Sequence, residues 1–89
     1  MIMQDYYLIA FDSTHAAMSA EAFFNNNDAN IKLIPLPSII SAGCGFGIKI
    51  MPTEVNAVGA LLERPEINWS KLYKIVKAGS SSKVEPWIL

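Results

Sequence analysis

An α+β fold in the order β-α-β-β-α-β is what this sequence predicts, and three observations predict it. Two segments carry apolar residues at helical spacing behind capping residues, one over about 14–26 and one opening at Pro52-Thr53-Glu54. Four short segments, 6–11, 31–36, 46–51 and 72–76, read as strands. The chain has 89 residues, with no internal repeat and no interdomain linker, so it forms one domain.

The elements follow in order. Tyr6-Tyr7-Leu8-Ile9-Ala10-Phe11 is apolar on both alternating faces, which suits a central strand covered on both sides. Asp12-Ser13-Thr14 then supplies capping residues. Ala16, Ala17, Ala20, Phe23 and Phe24 continue at helical spacing until Asn25-Asn26-Asn27-Asp28, whose side chains compete for backbone hydrogen bonds. Ile31 to Leu36 is the second strand, with Pro35 and Pro37 placing its end at a sheet edge. Phe46, Ile48 and Ile50 alternate with Gly47, Lys49 and Met51 in the third. Thr53 is the expected N-cap of the second helix, Val55, Val58, Leu61 and Leu62 its buried stripe, and Pro65 its stop. Leu72 to Val76 is the fourth strand, where Lys71, Lys74 and Lys77 suit an edge guarded against further pairing.

This order is the split arrangement of ferredoxin-like folds: an antiparallel four-stranded sheet with two helices on one face. Residues 1–78 form the ferredoxin-like domain. The tail, 79–89, begins with Gly79-Ser80-Ser81-Ser82 as a flexible spacer. The first and third strands become neighbours. Tyr7, Ile9 and Phe11 then lie on one face of the first strand, and Tyr6, Leu8 and Ala10 on the other. One set meets the helices. The other is left for a second subunit, making a homodimer, or for the folded-back Trp87-Ile88-Leu89 end.

Composition excludes several functions. The chain is 52% hydrophobic and carries seven basic against eight acidic residues, which is no electrostatic footprint for nucleic acid. Its one cysteine allows no internal disulfide, and with one histidine it cannot complete a structural zinc site. No cofactor is implied. The longest apolar run is far short of the roughly 20 residues that cross a bilayer. Met1-Ile2-Met3-Gln4-Asp5 has no basic leader character, so a cytoplasmic protein is expected.

The topology singles out the connection from Pro37 to Cys44, which is longer than a tight hairpin needs. Antiparallel pairing of the first and third strands sets Phe11-Asp12 beside Cys44-Gly45. It thereby draws Ser13, Thr14 and His15 towards Cys44. A helix N-terminus favours an anion such as a thiolate, and a nearby imidazolium lowers a thiol pKa further. Gly43 and Gly45 leave the sulfur uncrowded and let backbone N–H groups approach it. Cys44 is thus a candidate exposed nucleophile, with His15 as proton holder or hydrogen-bond donor. The alternative for Cys44 is a buried, inert thiol, and for His15 an ordinary surface side chain. Ser13 and Thr14 serve as caps before anything else. Gly43-Cys44-Gly45-Phe46-Gly47 precedes a strand, so it is not a dinucleotide loop.

The sequence resembles the small bacterial selenium/sulfur carrier-like family. The matching residues are Phe11-Asp12-Ser13-Thr14-His15, Ala17, Ala20-Glu21, Ile34-Pro35-Leu36-Pro37, Ile40-Ser41, Cys44-Gly45 and Pro52, spread over residues 6 to about 75. The resemblance implies a persulfide or selenopersulfide on Cys44, with His15 as polar partner and Ser13, Thr14, Gly43 and Gly45 around the cargo. It also implies donor and acceptor proteins for sulfur or selenium. The chain departs from the family at Ser38, at Ala42 and Gly43, and in its tail after Gly79. With no second cysteine to resolve an internal disulfide, the chain reads as a carrier rather than a self-sufficient catalyst. The alternative is a ferredoxin-like interaction or small-ligand-sensing module that dimerises through its open sheet face.

Overall fold

A computed structural model describes residues 5–36, 40, 45–78 and 81–87. The chain runs β1 (Tyr6–Ala10), α1 (Thr14–Asn26), β2 (Ile31–Pro35) and β3 (Phe46–Ile50). A 3-10 turn over Pro52–Glu54 leads into α2 (Val55–Leu61), followed by β4 (Lys71–Ala78) and β5 (Ser81–Pro86). Every strand pairing is antiparallel, in the spatial order β2-β3-β1-β4-β5. The molecule is therefore α+β, with two helices and one five-stranded sheet, and β1 and β3 are neighbours as the element order requires.

The expected count of four strands is corrected by β5. Ser81–Pro86 pairs with β4 from Ala78↔Ser81 to Tyr73↔Pro86. A serine-rich stretch has no alternating apolar pattern to betray a strand. An outermost strand needs only backbone hydrogen bonds to its neighbour, and polar or lysine side chains suit an edge. β4 is consequently bonded on both sides, so Lys71, Lys74 and Lys77 do not guard an edge. The outer strands carry Lys32 on β2 and Lys83 on β5.

One side of the sheet meets both helices. Ile9, Ile48 and Ile50 from the strands, Phe11, Ala17, Ala20 and Phe24 around α1, and Val58 and Leu62 from α2 form a single buried cluster. Ala17 and Ala20 let α1 lie close to the sheet, and Phe24 fills the space beyond them. Each large apolar side chain hidden this way contributes roughly 1.5–3 kcal/mol. At the end of α1 the amide of Asn27 donates to the Phe23 carbonyl (2.8 Å). Asp28 takes the left-handed conformation (φ 60°) and the Ala29 N–H donates to the Phe24 carbonyl (3.0 Å). The asparagine run thus terminates the helix as its chemistry predicts.

Two further expectations are corrected. Thr53 is not an N-cap: Pro52, with its fixed φ, starts the 3-10 turn one residue earlier, and no side chain caps it. Glu54 instead accepts the Asn30 N–H (3.1 Å), tying the start of α2 to the entry of β2. Nor does Trp87 cover the bare sheet face. It lies on the helix side, with its ring 5.0 Å from that of Tyr7. Strand alternation dictates this, because Trp87 follows Glu85 on the side that faces Lys74 and Tyr7. Ile88 and Leu89 lie outside the described residues.

Candidate functional site

The connection between β2 and β3 is closed at its base by one hydrogen bond, from the Leu36 N–H to the Gly45 carbonyl (2.9 Å). Gly45 has φ +75°, and a Cβ added there would touch nothing within 4 Å. Glycine is required here by the backbone conformation and not by crowding, since other residues pay strain at positive φ. Gly45 thus has a conformational role, beside the expected one of leaving the neighbouring sulfur uncrowded. Gly47 is the opposite case: its Cβ would lie 2.9 Å from the Ile9 carbonyl oxygen and 2.6 Å from Leu36 Cδ2. Cys44 and Gly43 lie outside the described residues, as do Pro37–Ile39, Ser41 and Ala42.

The start of α1 approaches the same end of the sheet. β1 pairs with β3 up to Ala10↔Gly47. Carried two residues further, that register aligns Asp12 with Gly45, the residue that follows Cys44. Ser13 is the N-cap, its hydroxyl oxygen accepting the Ala16 N–H (3.1 Å). Thr14 and His15 occupy the first turn, both with exposed side chains. The first N–H groups of a helix lack intrahelical acceptors, and no acidic side chain in this first turn offsets the positive end of the dipole. The register therefore sets Ser13, Thr14, His15 and Gly45 towards one sheet end, with the Ser13-capped N-terminus of α1 beside them.

The other face of the sheet holds what sequence reasoning missed. Ile40, from the same connection, is buried there against Tyr6, Leu8 and Ile75, with Ile34, Leu36, Met51 and Tyr73 around them. The connection that leads to Cys44 is thus anchored on the face away from the helices. An Ile39-Ile40 pair inside a connection was the available signal, because apolar residues in a loop need a surface to cover. Lysines rim this cluster. The Lys49 ammonium lies 4.6 Å and the Lys77 ammonium 5.4 Å from the centre of the Tyr6 ring. Burial pushes the Tyr6 phenol above its ordinary value. Lys32 stands directly opposite Lys49 in the β2–β3 register, and both line a cleft of about 260 Å³ with Asn30, Ile31 and Met51.

Among the described residues no group of three or more His, Cys, Asp or Glu side chains could hold a metal ion. No helix among them is long and apolar enough to cross a membrane.

Comparison with known proteins adds one positive finding. Residues 6–74 match the family described as "Putative Se/S carrier protein-like". No curated protein and no solved structure matches the chain. The match spans β1 to the first half of β4 and includes His15 and the single cysteine. The chain belongs to this family.

Proposed function

We propose that this member of the Se/S carrier protein-like family holds a sulfur or selenium atom on Cys44 and passes it between partner proteins. Family membership over residues 6–74, a span containing the one thiol of the chain, is the observation that carries the reading. Loading is a thiol exchange. The Cys44 thiolate attacks the outer sulfur of a donor persulfide, a new S–S bond forms as the donor's S–S bond breaks, and the donor thiolate leaves. Delivery repeats the step, with an acceptor thiolate attacking the outer atom and Cys44 departing as thiolate. A selenopersulfide follows the same balance with an S–Se bond. Neither direction needs an external oxidant.

The surroundings support an anionic cargo. The N-terminus of α1 is directed to the sheet end where Gly45 re-enters β3, and the positive end of a helix favours an anion. His15 donates to the thiolate or persulfide anion, and Thr14 and Ser13 frame it. The Leu36–Gly45 hydrogen bond fixes the base of the loop, and the exposure of His15 and Thr14 leaves this end open to a partner. With no second cysteine in the chain, each cargo leaves on another protein's thiol. That makes the protein a carrier in the cytoplasm rather than an independent catalyst.

Mass spectrometry of the protein after exposure to polysulfide, without reductant, tests the reading. The expected result is one added sulfur atom, absent in Cys44→Ser and removed by a thiol reductant. His15→Ala slows loading about tenfold, the rate equivalent of one charge-assisted hydrogen bond. A wild-type chain that gains no mass would overturn the proposal.

A further inference from the structure

The charges of this nearly neutral chain are sorted between the two sides of the sheet. Strand alternation places Lys32, Lys49, Lys71 and Lys77 on the face away from the helices, four of the seven basic residues. The eight acidic residues lie elsewhere. Six belong to the helices and the turns beside them, and Glu85 faces the helix side opposite Lys74. The eighth, Asp5, accepts the Lys77 N–H at the rim (3.0 Å). Lys74 and Glu85 form an opposite-charge pair in register, whereas Lys32 and Lys49 form a like-charge pair in register. Like charges directly opposite each other cost stability. A sheet has no structural need for that pair, and an anionic partner supplies one.

We infer that this face is the docking surface for an acidic segment of the protein that exchanges cargo with the carrier, one carboxylate seating in the Lys32–Lys49 cleft. The partner's role rests on the carrier reading; the surface does not. Lys32, Lys49 and Lys77 are spread from β2 to β4, about 14 Å across the sheet at the usual strand spacing, which suits several carboxylates on one segment. Ile40 of the cysteine-bearing connection is seated on the same face, so a partner bound here lies against that connection. Charge complementarity selects the occupant. A second copy related by a two-fold axis would set these four lysines against their own copies. Nucleic acid is disfavoured because Tyr6 is only 7% exposed and lies beneath two ammonium groups, so it offers no stacking surface.

The test titrates the isotopically labelled full chain at low salt with a glutamate-rich peptide, and in parallel with its glutamine counterpart. The expected result is glutamate-peptide binding that shifts the amides of Lys32, Lys49, Met51 and Lys77 and fades as salt shortens electrostatic range. Lys32→Glu converts the like pair into an opposite pair. It should melt at a higher temperature than wild type while binding the peptide about tenfold more weakly. Lys83→Glu, the same charge change on the outer strand β5 away from the cleft, should leave binding within about twofold. Lys32→Gln, which introduces no new charge, should bind at an intermediate strength.

Equal weakening by Lys83→Glu, shifts confined to the helices, or no binding would overturn the surface. So would an oligonucleotide that binds the same residues more tightly than the peptide, or self-association through them. Polysulfide loading of Cys44 separates the two readings. Loading without peptide binding defeats only the docking surface, and peptide binding without loading defeats only the carrier chemistry.

Discussion

Ile9 and Leu8 are neighbours on β1, both fully removed from solvent, yet they are covered by different kinds of structure. Ile9 sits beneath two helices, in a cluster that also holds Phe11, Phe24, Ile48, Ile50 and Val58. Leu8 clusters with Tyr6, Ile75 and the loop residue Ile40, with Ile34, Leu36, Met51 and Tyr73 packed against them and no helix among the described neighbours. The helix side is a folding core whose residues have no duty but to exclude water. Among the described residues the open side is thin, rimmed by lysines, and covered at Ile40. Burial alone does not distinguish them; the covering does.

The largest expected effect tests this difference directly. Ile9→Ala should destabilise near the top of the range of about 2–5 kcal/mol for such truncations, because two packed helices above it prevent the cavity from collapsing. Leu8→Ala should fall near the bottom of that range, since Ile40, outside any helix or strand, can settle into the space. Urea denaturation of the two variants measures both values. Equal losses would mean that the open face is packed as rigidly as the core. Leu8→Ala should also change the rate at which Cys44 is alkylated, whereas Ile9→Ala should not do so under native conditions.

A second pair sharpens the comparison at the loop base. Gly47→Ala drives a methyl group towards the Ile9 carbonyl, a backbone atom that cannot move without disturbing the β1–β3 pairing. About 1–3 kcal/mol of destabilisation is expected, as for other overpacked sites. Gly45→Ala meets no atom but must hold φ +75°, which costs about 1–2 kcal/mol. The two therefore separate by mechanism as well as size. Gly45→Asn should recover part of the loss because asparagine tolerates the left-handed region, while Gly47→Asn should be worse than Gly47→Ala. Thermal denaturation of the four variants decides it.

The parts legible in the sequence were those with a periodic signature. β1, α1, β2 and β3 fall within a residue of their expected bounds, because aromatic runs, alanine–phenylalanine spacing and asparagine stops are local signals. β5 was hidden, because an edge strand of serine, lysine and glutamate has no apolar period. The two faces of β1 were readable from alternation, but what covers each was not. The placement of Ile40 and Trp87 depends on contacts distant in the chain. For the site, residue order alone brought the start of α1 to the start of β3, and the register of β1 with β3 agrees. Lys32 and Lys49 were invisible as a pair, since 17 positions of sequence separate two residues that stand side by side.

The smallest effect concerns pH and isolates Tyr6 on the open face. Burial raises its phenol above the ordinary 10.0, although two ammonium groups lie over the ring. Below pH 10 the phenol is protonated in both folded and unfolded chains, so its contribution is constant. From pH 10 upward the unfolded phenol ionises first and the unfolded state binds fewer protons. Stability therefore falls as pH rises towards the higher folded value. Tyr6→Phe keeps the ring and its cation–π contacts but removes this titration. Its stability should decline less steeply than wild type above pH 10, with matching slopes between pH 7 and 9. The two chains differ only in the phenol, and the difference between their slopes is the readout. Matching slopes above pH 10 would place Tyr6 in contact with water, and the open face would then be less closed over β1 than Ile40 makes it.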